Sequence, residues 1–221
     1  MTTSVPIPRL DNPTGLFQAF ERSVEALEKD PMSSTFAQSI PPGKIVLTYD
    51  DYCLLPNDGK RYEILDGELS VTPAPAIIHQ IILANLHRIL AVHNSANPIG
   101  RILFAPADVL LARTTVVQPD LVYVANDRSQ IITGRAIEGS PTLAVEILSP
   151  TTQNTDKITK AQLYAKYQVP HYWLIDPEHR TLEAYELAED RYVLTTRVLY
   201  NDVFAPTLFP GLSFPIADLW A

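Results

Sequence analysis

A single cysteine, Cys53, in 221 residues has no partner for an intrachain disulfide, so nothing in the chain requires an oxidising compartment. No apolar run approaches the length that crosses a bilayer, which excludes a transmembrane helix. The N-terminus lacks the charged start and apolar centre of a secretory signal, and the expected location is cytoplasmic. A glycine-rich phosphate loop is also missing, so P-loop and dinucleotide-binding readings fail for want of their motif. Basic residues are scarce: 17 Lys and Arg stand against 25 Asp and Glu, a net charge of −8. That balance repels a polyphosphate at long range and counts against a general nucleic-acid binder, although a local basic patch or a metal-neutralised site is still allowed. Charged residues make up only 19% and hydrophobic residues 46%, which argues against wholesale disorder and for one generous core.

Proline is plentiful, and it divides the chain. Pro6, Pro8, Pro13, Pro31, Pro41 and Pro42 punctuate residues 1–43, an arm in which Leu16, Phe17, Phe20, Val24 and Leu27 recur at near-helical spacing. The arm reads as one short amphipathic helix that packs on its own domain, the alternative being a contact with a second copy in a homodimer. The compact domain is expected over 44–221. It opens with a Thr48-capped helical turn through Leu54 and a hairpin over 61–71, whose Asp66-Gly67 pair suits a type I′ turn. A long helix is expected over 76–93, from the spacing of Ile78, Ile82, Leu86, Ile89 and Leu90. Strands follow at 101–112, 119–125 and 142–148, a helix at 156–167, and strands at 171–176, 181–187 and 191–200. Hairpins mixed with helices predict an α/β (α+β) protein with a mixed β-sheet flanked by helices.

Chemistry is concentrated on a few acids in apolar surroundings. Leu143-Ala144-Val145-Glu146-Ile147-Leu148 is a buried-strand run with a carboxylate at its centre, and an unpaired buried carboxylate is costly enough to demand a cation, a metal or a donor beside it. Asp120 repeats the pattern, placed behind Pro119 and ahead of Leu121-Val122-Tyr123-Val124. One such acid is more often a structural acceptor, whereas two on two apolar strands point to a site. Glu63 is a third candidate, since the turn explains Asp66 and Glu68 but not Glu63; an exposed strand acid is the competing reading. Beyond Glu146, Lys157, Lys160 and Tyr164 share a helical face. A lysine facing two carboxylates suits phosphodiester hydrolysis, which needs a metal-held water and a positive charge for the developing oxyanion; surface lysines are the plainer reading. His79, at a helix start, is an accessory candidate able to contact a phosphate, although such a histidine is more often locally bonded. Trp173 and Tyr172 read as core, and His171 and Asp176 as structural.

These motifs together resemble a known family. Tyr-Glu-Ile-Leu-Asp-Gly-Glu-Leu at 62–69, His79, Pro119-Asp120, Val-Glu-Ile-Leu-Ser-Pro at 145–150, Asp156, Lys160 and Val-Pro-His-Tyr-Trp-Leu-Ile-Asp-Pro at 169–177 are similar to the Uma family. Its members are restriction-endonuclease-like proteins of the PD-(D/E)-x-K phosphodiesterase superfamily. The resemblance covers about 44–216 and implies a restriction-endonuclease-like fold acting on DNA. It further implies that Asp120 and Glu146 on adjacent strands are ligands for Mg²⁺ or Mn²⁺, with Glu63 at the same site. The superfamily pattern places its lysine two residues past Glu146, where Leu148 stands here; the resemblance assigns that role to Lys160 instead. The chain also has Gln168 where the family favours glycine after the helix, a position where a side chain makes a left-handed cap costly. A nuclease-fold binding or regulatory module with weak or absent catalysis is the alternative function, favoured by the acidic balance.

Overall fold

The computed structural model of the chain describes residues 45–149 and 155–221; the amphipathic helix expected in the arm lies outside the described residues. Near the start, α1 (Tyr49–Tyr52) is a single turn ended sooner than expected. The Asp51 carboxylate accepts the Thr48 amide at 2.8 Å and the Thr48 hydroxyl at 2.7 Å. The hairpin of β1 (Arg61–Leu65) and β2 (Glu68–Thr72) closes through Asp66 and Gly67 at φ 49° and 88°, positive at both central positions as a type I′ turn requires. Next comes α2 (Ile77–Ala96), whose buried residues His79, Ile82, Leu83, Leu86 and Leu90 form one stripe at helical spacing.

The expected strand at 101–112 is two strands in different sheets, β3 (Gly100–Phe104) and β4 (Val109–Ala112). Pro106 between them has no N–H to give a ladder, and the chain changes sheets there. A short β5 (Thr115–Val117) precedes β6 (Leu121–Ala125), and β7 (Ile137–Glu138) precedes β8 (Leu143–Ile147). The expected helix at 156–167 is a π turn over Thr155–Lys160 running into α3 (Ala161–Lys166). The remaining strands are β9 (His171–Asp176), β10 (Thr181–Ala188), β11 (Arg191–Leu199), β12 (Val203–Phe204) and β13 (Phe214–Pro215).

Six strands form the central sheet in the order β11-β10-β9-β8-β6-β3, and β2-β1-β5-β4-β7 form a second sheet. Within the central sheet β8 pairs antiparallel with β6 and parallel with β9. A parallel pair cannot be joined by a tight turn, and the π turn with α3 supplies the crossover. Side chains alternate along each strand, and β8 divides accordingly. Leu143, Val145 and Ile147 pack with α2 and Trp173 in one core cluster, while Ala144 and Leu148 pack with Tyr164, Val122, Val124 and the second sheet in another. Glu146 shares the parity of Ala144 and Leu148, and Asp120 that of Val122 and Val124, so both acids lie on the side of α3 and the second sheet. None of the described helices is long and apolar enough to cross a membrane.

Candidate active site

The register places the two acids together. Leu121 pairs with Val145 across β6 and β8, so one step further along the ladder Asp120 stands opposite Glu146. Both are buried, as is Glu63 on β1. Exposure of the strand acid, the competing reading for Glu63, is therefore not what the fold produces. β1 joins the site because its Ile64 pairs with Val116 of β5, which sets the Glu63 carboxylate where the Gln118 amide donates to it at 2.7 Å.

Buried carboxylates need partners, and each of these has several. Lys160, 2% exposed, places its Nζ 2.9 Å from Glu63 Oε1 and 3.0 Å from Glu146 Oε1. Leu148, at the position where the superfamily pattern expects the lysine, is buried in the apolar cluster, and the ammonium arrives from the π turn instead. The Tyr164 hydroxyl, one turn on, donates to the same Glu146 oxygen at 2.6 Å. Burial chiefly, then the charges of Glu146 and Glu63, pushes the Tyr164 hydroxyl well above its usual pKa, so it stays a donor. Asp120 is held by three groups: Arg61 Nη1 donates to Oδ1 at 2.9 Å, the Ile147 amide donates to Oδ2 at 2.7 Å, and His79 Nε2 lies 3.0 Å from Oδ2. Burial alone would raise Asp120, but the His79 hydrogen bond, the Arg61 charge and the Ile147 amide outweigh it and hold the carboxyl at about 2.

Asp120, Glu146, Glu63, Lys160 and His79 are thus brought to one place, and Lys157 is not. Lys157 lies 3.9 Å from Asp176 on the exposed side of the turn. An α-helix would align Lys157 with Lys160, but the wider π turn separates residues three apart around its axis. Sequence reasoning passed over Arg61, Tyr164 and Gln118 as site residues. Arg61 carries a signal that could have found it: it lies two residues before Glu63, hence on the same strand face. A cleft of about 300 Å³ opens over these groups, lined by Arg61, Pro75, His79, Asp120, Glu146 and Lys160 among others.

Among the described residues no three His, Cys, Asp or Glu side chains form a ready metal cluster. Asp120, Glu146 and Glu63 are turned toward protein cations rather than toward a position of their own. The donor set nevertheless suits a hard divalent ion. All three carboxylates come within 4 Å of one cationic group, the Arg61 guanidinium, at 2.9, 3.8 and 3.7 Å respectively, and carboxylate oxygens are the ligands that Mg²⁺ and Mn²⁺ take.

The mixed sheet with its flanking helices is an α/β fold that a solved structure shares. The solved structure described as "Crystal structure of a putative nuclease belonging to DUF820 from Anabaena variabilis ATCC 29413" superposes on it with a TM-score of 0.65. The two chains are 20% identical, over 79% of this chain and 97% of that one. The chain belongs to the Uma2 family, described as "Putative restriction endonuclease", whose model matches residues 49–217. No curated protein matches it.

Proposed function

We propose that the chain is a divalent-metal-dependent phosphodiesterase that hydrolyses DNA. The observation that carries the reading is the juxtaposition, at a cleft, of Asp120, just ahead of β6, and Glu146, on the adjacent β8, with the Lys160 ammonium 3.0 Å from Glu146. Family membership supports it. Asp120, Glu146 and Glu63 would hold Mg²⁺ or Mn²⁺, which lowers the pKa of a bound water and offsets charge on a phosphoryl oxygen. The chain's own residues do the rest. Tyr164 fixes the Glu146 carboxylate by donating to it, while His79 and the Ile147 amide fix that of Asp120; immobilised ligands of this kind set both geometry and affinity. Lys160 presents a buried positive charge where negative charge develops in the transition state, and an enclosed charge acts there more strongly than an exposed one.

One observation favours the second reading, a nuclease-fold binding module. Arg61 and Lys160, the arginine and lysine of the described cleft lining, both face carboxylates, and the chain carries a net charge of −8, so among the described residues the cleft lining presents acids as well as cations to a phosphate backbone. A titration of Mg²⁺ and Mn²⁺ against cleavage of plasmid and single-stranded DNA by the purified full chain separates the two. Cleavage that rises with metal and saturates supports hydrolysis. Binding without product at any metal concentration would replace the enzyme with the module.

A further inference from the structure

Arg61 is held in an unusual way for an arginine among acids. A guanidinium ordinarily engages one carboxylate through its two-pronged fork. Here it is strung across three carboxylates from three different segments, and only one contact, Nη1 to Asp120 at 2.9 Å, is a hydrogen bond. Nη2 stands 3.7 Å from Glu63 and 3.8 Å from Glu146, and both Nη2 and Nε are enclosed without a hydrogen-bond partner. Enclosed donors left unpaired are costly to a fold. Arg61 therefore acts less as a donor than as a positive charge placed among the acids.

We propose that Arg61 is a resident counter-ion that competes with the divalent metal for Asp120, Glu146 and Glu63: it holds the cage together without metal and withdraws into the cleft when metal enters. The inference rests on the phosphodiesterase reading and adds its mode of regulation. Withdrawal has somewhere to go, because Arg61 lines the cleft and its side chain is already 22% exposed. Lys160 is not the exchanging group, since it is 2% exposed and hydrogen-bonded to Glu146.

Calorimetric titration of Mn²⁺ into the full chain, without DNA, tests the competition in wild type, Arg61→Met and Arg61→Lys. Arg61→Met should bind Mn²⁺ on the order of tenfold to a hundredfold more tightly, the effect of removing a like charge beside a cation site. Its metal-free form should melt below wild type, and saturating metal should close the gap. Arg61→Lys, which keeps a charge on a shorter reach, should bind with intermediate affinity and gives the answer if Arg61→Met does not fold. An independent readout needs no variant. In wild type, the Arg61 Nε–H followed by NMR should exchange with solvent faster once Mg²⁺ saturates the site. Tighter binding in the variants together with faster exchange supports the competition. Metal binding in wild type with equal or weaker affinity in both variants, or exchange unchanged by Mg²⁺, overturns the Arg61 inference and leaves the phosphodiesterase reading standing. No divalent binding in any of the three proteins overturns both.

Discussion

Replacing Lys160 by Met removes one buried charge while keeping much of the apolar stem. Its ammonium lies 2.9 Å from Glu63 and 3.0 Å from Glu146, and it is 2% exposed. Breaking a buried ion pair from one side costs about 3–5 kcal/mol, because the abandoned charge stays buried. Part of that is recovered here. Glu63 keeps the Gln118 amide, Glu146 keeps the Tyr164 hydroxyl, and Arg61 stands within 4 Å of both. We therefore expect a loss of about 2–4 kcal/mol, or roughly 4–16 °C in Tm for a domain of this size. Lys157→Met is the control. Its side chain is 43% exposed and 3.9 Å from Asp176, so screening by solvent limits its loss to about 0–1 kcal/mol. Urea unfolding of the three proteins in chelator measures both losses as changes in midpoint at constant slope. Equal losses, or a Lys160→Met protein as stable as wild type, would refute the burial argument and return Lys160 to the surface.

Other perturbations test the frame. A Cβ on Gly100 would lie 2.4 Å from the Val124 carbonyl oxygen and 2.4 Å from the Tyr123 ring, and a paired backbone cannot give way, so Gly100→Ala should cost about 1–3 kcal/mol in thermal unfolding. Gln168 sits at φ 59° after α3, where a β-branched side chain is strained; Gln168→Val should cost about 1–2 kcal/mol and Gln168→Gly much less, compared by the same melts. A chain beginning at Ile45 should express as a soluble, cooperatively unfolding domain, because the described core clusters are built from residues 64 onward; insolubility would place the Phe17 and Phe20 stripe in a core or a dimer contact. The double change Asp120→Asn with Glu146→Gln should abolish any rise in Tm caused by millimolar Mg²⁺ in wild type, since a ligand that binds only the native state stabilises by mass action. An undiminished shift would move the metal elsewhere.

The acid pair was legible in the sequence because a carboxylate is rare inside an apolar strand, as at Glu146, or directly ahead of one, as at Asp120, and strand parity puts both on one face. The Asp66-Gly67 turn and the long helix were legible for the same reason, each being fixed by local chemistry. What was hidden depended on partners distant in sequence. Nothing between 101 and 112 announces a change of sheet except Pro106, and a proline can equally end a strand without redirecting it. The π turn at 155–160 obeys no side-chain period that a reader would seek, so Lys157 and Lys160 appeared equivalent although one is exposed and the other buried. Arg61 is hidden because it opens the first strand of a hairpin whose turn already accounts for the charges around it. Its role emerges only when β1 is laid beside the ends of β6 and β8.

The most direct test of the central claim is the cleavage rate of Glu146→Gln against wild type in saturating Mn²⁺, with DNA affinity measured on the same samples and folding checked by circular dichroism. Glu146 is buried beside Lys160 and Tyr164, and a group that acts on the transition state more than the ground state changes rate rather than affinity. The account predicts a rate lower by about 10²–10³-fold, the size of loss seen when one group stabilising the transition-state charge is removed, with affinity changed only a few-fold. A folded Glu146→Gln protein that cleaves at the wild-type rate would contradict it.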